Sequence, residues 1–228
     1  MGSQSLLARG LKMPLDNKTI SEAIKQAKEK SGEKKFNQTI DLILDITEID
    51  MKAPEGKIQE VVELPHATGK PNRVCVIASG EFAVKAKNAH ADNVVERADL
   101  DALNGKKKEL RKLASEYDVF ISEAPLMPLV GRILGPVLGP RGKMPIPVPP
   151  NADIAALINK HRKTVVVRMR NQPIIQVSVG SQQMKDEELV DNTMAILRVL
   201  DGKLKRGLKN IKYAFIKTSM GEPVKIKP

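Results

Sequence analysis

The chain has 228 residues, a formal net charge of +11 and 41% hydrophobic residues, which excludes a disordered polymer and leaves enough apolar material for one large domain or two modest ones. Aromatics are only 3% with no Trp, so the core has to be aliphatic, and the single cysteine, Cys75, excludes an internal disulfide or a multi-cysteine metal centre. No apolar run reaches the about 18 residues needed to cross a bilayer, and the positive charge points to polyanions, with nucleic acid ahead of an anionic membrane.

The start, "MGSQSLLARGLK", lacks the long apolar segment of a secretory signal, and its "MGSQS" fits a loose myristoylation pattern. In a basic chain it reads as a plain N-terminal arm. Asp16 or Asn17 can cap a helix through "NKTISEAIKQAKEKSG", with Ile20, Ala23, Ile24 and Ala27 on one face and Gly32 as the stop. In "TIDLILDITEID", Ile40, Leu42, Leu44 and Ile46 alternate with Asp41, Ile43, Asp45 and Thr47, the period of a strand. "KIQEVVEL" reads as another strand ending at Pro65, and "PHATGKPN" as a boundary loop.

Next come a short apolar strand, "RVCVIAS", a helix-like "GEFAVKAKNAHA", a basic amphipathic helix, "KKKELRKLASEY", and a second apolar strand, "DVFISEA". Strands alternating with helices indicate a small α/β unit with a parallel sheet. "GRILGPVLGPRGKMPIPVPPN" follows, from Gly131 to Asn151. Its Gly142–Lys143 pair invites comparison with a phosphate loop, G-x-x-x-x-G-K-[ST]. The match fails at two positions: Val137 stands where the first glycine belongs, and Met144 where the magnesium-binding hydroxyl belongs. Gly131, Gly135 and Gly139 recur every fourth residue, on one side if the segment is helical, where they allow close backbone approach. Pro145, Pro147, Pro149 and Pro150 suit a stiff extended connector.

Asn151 or Asp153 can then start a helix through "ADIAALINKHR". "TVVVRMR" and "IIQVSVG", separated by "NQP", read as a hairpin. "KDEELVDNTMAILRVLDG" is a strong helix with acids in its first turn, and "KNIKYAFIKTSMG" and "PVKIK" read as closing strands around a turn.

The search for catalytic groups is negative. His66, His90 and His161 stand far apart with no metal-ligand spacing, and no G-x-S-x-G, H-E-x-x-H or C-x-x-C is present. Charge is uneven along the chain. Residues 1–66 carry 10 basic against 11 acidic groups, residues 67–156 carry 13 against 10, and residues 157–228 carry 15 against 6. An anionic partner is therefore expected in the last third. Tyr213 and Phe215 share one face of their strand and can stack bases, but packing beneath a helix is the preferred reading in an aromatic-poor chain. Lys212 and Lys217 are available for phosphate, and the turn "KTSMGEP" offers hydroxyls, a thioether and flexible backbone to an RNA groove.

Four motifs in order, "KKFNQTIDL", "ELPHATGK", "GRILGPVLGPRGKMPIPVPPN" and "KTSMGEPVKI", resemble the ribosomal protein L-one family, archaeal type, over nearly the whole chain from about Lys34. The resemblance implies an α/β protein of two domains. One is a discontinuous α+β sandwich built from both chain ends, 1–66 and 157–228, with a split βαβ-like sheet. The other, 67–156, is an inserted small Rossmann-like α/β domain. It further implies a non-enzymatic, cofactor-free and metal-free constituent of the large ribosomal subunit, cytoplasmic on the ribosome and monomeric when free. Such proteins bind the ribosomal RNA of the mobile stalk near the tRNA exit site, assist release of deacylated tRNA, and repress translation by binding their own messenger RNA. The implied RNA-binding residues are Lys35, Phe36 and Thr39 after the first helix, and Lys217, Thr218, Ser219, Met220 and Gly221 near the end. Gln176 and Ser178 occupy a third matching place at which bacterial members often differ. Asn37 and Gln38 stand where other members often have acids.

Physical chemistry is consistent with those roles. Phe36 and Met220 offer apolar contact to sugar and base edges. Thr39, Thr218, Ser219 and the Gly221 N–H offer hydrogen bonds to 2′-OH and phosphate oxygens, and Lys35 and Lys217 offer counterion release. The alternatives to this reading are a nucleotide-using enzyme centred on the middle α/β unit and a basic regulator acting only on messenger RNA, off the ribosome.

Overall fold

The computed structural model describes residues 16–32, 34–49, 58–169 and 172–226. The N-terminal arm read from the first residues, and Asn171 of the expected "NQP" turn, lie outside them. The elements in chain order are α1 (Asn17–Lys30), β1 (Thr39–Ile46), β2 (Gln59–Glu63), β3 (Val74–Ile77), α2 (Gly80–Asn88), β4 (Asn93–Val95), α3 (Arg97–Leu103) and α4 (Lys107–Glu116). They continue with β5 (Val119–Glu123), α5 (Met127–Ile133), α6 (Gly135–Arg141), β6 (Ile146–Val148), α7 (Ile154–Arg162), β7 (Thr164–Arg168), β8 (Ile174–Ser181), α8 (Asp186–Lys203), β9 (Ile211–Thr218) and β10 (Val224–Lys225). The fold is mixed α/β, and the chain divides into two compact units, Met1–Lys70 with Val165–Pro228, and Pro71–Thr164.

In the first unit an antiparallel sheet runs in the order β10-β9-β1-β8. Strand alternation decides what each face does. Leu42 and Leu44 of β1, Ile175 and Val177 of β8, and Ala214 and Ile216 of β9 are buried in one core with Ile20 and Ile24 of α1 and Ile196 and Leu200 of α8. The opposite face carries Asp41, Ile43, Gln176, Ser178, Tyr213, Phe215 and Lys217, all partly or fully exposed. Lys28 of α1 ties the two helices together: its Nζ lies 2.7 Å from both the Met184 carbonyl and the Asp186 carboxylate. Asn192, fully buried on α8, donates to the Val179 and His66 carbonyls and accepts from the His66 N–H, which fixes the loop after β2 against β8.

The expected hairpin of "TVVVRMR" and "IIQVSVG" does not form. β7 pairs with β2, and β8 pairs with β1 over Thr39–Asp45. Both strands have the right alternation, but alternation does not choose partners. β8 buries its apolar face only beside β1, where the helices cover it.

The second unit has a parallel sheet in the order β4-β3-β5-β6. A parallel sheet is covered on both faces, and the residues divide accordingly. Val74, Val76 and Ile121 pack with Phe82, Ala83 and Ala86 of α2 and with Ile154 and Ile158 of α7. Cys75, Ile77 and Phe120 pack with Leu110 and Ala114 of α4 and with Val130, Ile133 and Leu138 of α5 and α6.

One expectation for "GRILGPVLGPRGKMPIPVPPN" is corrected by the structure and another is sharpened. The segment is helical through Arg141, but a Cβ at Gly131 or Gly135 would meet nothing within 4 Å, and at Gly139 only the Met144 sulfur at 4.0 Å. The buried side is the other one, formed by Ile133, Leu134 and Leu138, so these glycines do not serve close packing. The proline run is in part a strand: Pro147 lies in β6 opposite Ser122, at the edge of the sheet, where a missing N–H is tolerated.

The charge distribution also changes once the units are known. Lys160, Arg162 and Lys163 fall in the second unit with α7, so the first unit carries 23 basic against 17 acidic residues and the second 15 against 10. Net charges of +6 and +5 do not choose between the units. Geometry has to choose.

Candidate nucleic-acid interface

β1 is an inner strand, so its N-terminal end lies between the C-terminal ends of β8 and β9. Thr39 stands opposite Ser181, and Ile40 opposite both Gly180 and Thr218. Three connections therefore meet at one end of the sheet: the segment after α1, the turn after β8, and the turn after β9. Asn37 Nδ2 donates to Ser181 Oγ at 3.1 Å and to Gln183 Oε1 at 3.2 Å. The Gln182 N–H donates to the Gln38 carbonyl at 2.8 Å. On the other side the Ser219 N–H donates to the Thr39 carbonyl at 3.0 Å, and the Thr39 N–H to Ser219 Oγ at 3.2 Å.

This clamp displays apolar groups to solvent. Phe36 is 53% exposed and Met220 69%, both high for their type. Lys34, Lys35, Phe36, Asn37, Gln182 and Gln183 line a shallow depression. Lys35 is exposed, Thr39 and Lys217 are half-buried, and Ser219 is exposed. Asp41 lies in the same row of the open sheet face as Ser178 and Lys217, and Gln176, one row further, directs its amide toward the Asp41 carboxylate at 3.4 Å. Lys35, Phe36, Thr39, Gln176, Ser178, Lys217, Ser219 and Met220 thus lie at one end of the sheet or on the adjoining open face.

Thr218 and Gly221 are placed differently from the residues around them. Thr218 is fully buried, because its parity on β9 matches Ala214 and Ile216, and its hydroxyl faces Gly221 without a partner. The Gly221 N–H is already donated to the Thr218 carbonyl at 3.2 Å. A Cβ at Gly221 would stand 2.3 Å from the Thr218 hydroxyl, so the glycine is there because the turn closes tightly over that buried side chain. The buried Thr218 side chain and the half-buried Gly221 thus pack against each other within the turn.

Tyr213 and Phe215 also correct an expectation. The opposite parity places them on the open face instead of under a helix, with ring centroids 6.2 Å apart and Lys225 Nζ 4.1 Å from the Tyr213 centroid. Gln182 and Gln183 carry no signal in the sequence that marks them for this site, and Asn37 only the family departure given above. The polar run "SQQ" directly after an amphipathic strand marks a turn, but nothing in it says which other turns it meets.

The middle unit does not support a nucleotide site. Lys143 Nζ lies 2.6 Å from the Tyr117 carbonyl, 3.3 Å from that of Ala114 and 3.4 Å from the Asp118 carboxylate, so it closes the C-terminal end of α4. In a parallel sheet an anion is expected where the strand order reverses, here between β3 and β5 at the start of α2. That place is taken by the chain's own carboxylate: Glu123, 8% exposed, accepts from Ser79 N–H at 3.1 Å and from Ser79 Oγ at 2.8 Å. Cys75 is fully buried, and burial, with Asp92 adding to it, pushes its thiol up to about 12, far from a reactive thiolate. Among the described residues no cluster of three or more His, Cys, Asp or Glu is placed to hold a metal, and no helix is long and apolar enough to cross a membrane.

These features define a class: a mixed α/β protein whose candidate site is an open surface of amides, hydroxyls, lysines and exposed apolar tips, suited to a polymer and not to a small substrate. The profile described as "Ribosomal protein L1p/L10e family" matches residues 23–222, and the chain belongs to that family. It is similar to proteins named "Large ribosomal subunit protein uL1". That of Methanothermobacter thermautotrophicus is 45% identical over 207 residues, covering 91% of this chain and 98% of the relative. That of Hyperthermus butylicus is 46% identical over 208 residues, 91% and 95% respectively, and that of Pyrococcus abyssi 41% identical over 217 residues, 95% and 99%. The family is one of structural ribosomal proteins and not of enzymes.

Proposed function

We propose that the chain is a structural constituent of the large ribosomal subunit, working in the cytoplasm on the ribosome, and that it binds the ribosomal RNA of the mobile stalk through the end of its first unit's sheet. The observation that carries this reading is the convergence of residues 35–39, 176–183 and 217–221 at one end of the sheet, with Phe36 and Met220 exposed there. RNA helices are recognised by shape through a shallow minor groove lined with 2′-hydroxyls. The Ser219 and Thr39 hydroxyls and the Gln182 and Gln183 amides suit such contacts. Phe36 and Met220 suit sugar and base edges, and Lys35 and Lys217 suit phosphates. By the same reading the first unit is the RNA-binding one. The protein, monomeric when free, binds a stalk-like structure in its own messenger RNA to repress translation, and meets tRNA at the exit site to assist release of deacylated tRNA.

Filter binding and footprinting test it. The expected result is tight binding to a stalk fragment of large-subunit ribosomal RNA, weakening steeply with salt, with protections confined to the stalk junction. Equal affinity for any RNA hairpin of the same length rejects the specific part of the proposal.

A further inference from the structure

We infer that Gln38 is a positioning residue that holds the Met220 turn in its RNA-binding shape without touching RNA itself; this rests on the RNA reading above. Gln38 is fully buried, yet it sits between the two turns that frame the interface. Its side-chain Oε1 accepts the Met220 N–H at 3.1 Å, and its main-chain carbonyl accepts the Gln182 N–H at 2.8 Å. One residue thus serves the turn after β9 through its side chain and the turn after β8 through its backbone. The adjoining Asn37 and Thr39 make the lateral bonds to Ser181 and Ser219.

Met220 shows why the contact bears on binding and not merely on folding. Its side chain is 69% exposed and has little packing to fix where it points. Its N–H, by contrast, is directed inward to a buried acceptor. The Gln38 amide therefore fixes the main chain of the turn from which the exposed thioether projects. A turn ordered before binding avoids the ordering cost at the moment of association. Without the acceptor, the Met220 N–H has no protein partner and the turn loses that restraint. The carboxamide nitrogen of Gln38 has no partner, so the oxygen alone does the holding.

The experiment compares the full-length wild type with Gln38→Met, which keeps length and removes the acceptor, and Gln38→Glu, which keeps an acceptor oxygen. Binding to the stalk fragment is measured across a salt series, and exchange of the Met220 amide is followed by NMR in the free protein. The expected result is a protected Met220 amide in wild type, lost in Gln38→Met, with affinity about tenfold weaker, equivalent to about 1.4 kcal/mol. The salt slope stays unchanged because no phosphate contact is removed. Gln38→Glu restores most of both. Wild-type affinity in Gln38→Met, a changed salt slope, or Gln38→Glu no better than Gln38→Met overturns the inference. Should Gln38→Met fail to fold, the wild-type measurement still decides against it if the Met220 amide exchanges at the unprotected rate. A wild type without preference for the stalk fragment rejects the RNA reading and this inference together. Wild-type affinity for the stalk fragment, retained in Gln38→Met after protection is lost, rejects the inference alone.

Discussion

Thr39 and Ser219 lie 180 residues apart in sequence and are joined by three hydrogen bonds: Ser219 N–H to Thr39 carbonyl at 3.0 Å, Thr39 N–H to Ser219 Oγ at 3.2 Å, and Ser219 Oγ to Thr39 carbonyl at 3.4 Å. Two of the three use the serine hydroxyl. Ser219→Ala leaves only the main-chain bond and an unmatched Thr39 N–H. The expected cost is about 1 kcal/mol of folding stability, read from the urea midpoint at unchanged slope. Stalk RNA binding weakens as well, and Ser219→Thr, which keeps the hydroxyl, recovers part of both losses.

Met220 and Thr218 are neighbours but one in sequence and opposite in environment. Met220→Ala removes an exposed side chain, so stability changes by less than about 0.5 kcal/mol. RNA affinity is expected to fall by about 1 kcal/mol or more, as for a contact near the centre of an interface. Thr218→Val replaces a buried hydroxyl that has no partner with a methyl of similar shape. Stability is expected to stay level or rise, and RNA affinity to stay level. A large affinity loss in Thr218→Val, measured by filter binding, would return Thr218 to the role of a direct contact.

Gly180 sits at the register shift between β1 and β8, beside Ser181 of the interface. A Cβ there would come within 2.6 Å of Leu189 Cδ2 and 2.7 Å of Met184 Sδ. Gly180→Ala is expected to cost about 1–3 kcal/mol by overpacking α8 against the sheet, seen as a lower denaturant midpoint.

Cys75 gives the protein an alkaline limit. Its thiol is pushed from 9.0 to about 12 by burial, so the folded state keeps a proton that the unfolded state releases above about pH 9. In that window the unfolded chain binds fewer protons, and stability falls as pH rises, by up to about 1.4 kcal/mol per pH unit. Below pH 9 the stabilisation is fully present. Cys75→Val is expected to fall less steeply between pH 9 and 11 in urea titrations, and iodoacetamide is expected to label the wild type only on unfolding.

Elements with strong periodicity were legible from the chain alone. Ile20, Ala23, Ile24 and Ala27 of α1 and the alternation of β1 are buried where the pattern places them. Pairing was not legible: β7 and β8 look like a hairpin because they are adjacent, while the partner of β8 lies some 135 residues earlier, as the Gln176–Asp41 contact shows. Short elements escaped for a related reason. β4 has three residues and α3 seven, too few for a period to show. At the interface, the motifs singled out Phe36 and Met220, whereas the burial of Thr218 follows from counting parity with Ala214 and Ile216. Gln38 was noted only as a departure from the acids common in the family; its reach to Met220 exists only after the sheet has formed.

The central position of β1 has a consequence for synthesis. The proposed surface uses Phe36 from before β1 and Met220 from the turn after β9, joined through a strand that cannot take its second neighbour until β9 has been made. A nascent or interrupted chain holds half of the surface and lacks its counterpart. Tight RNA engagement is therefore expected only of molecules whose translation has passed Met220.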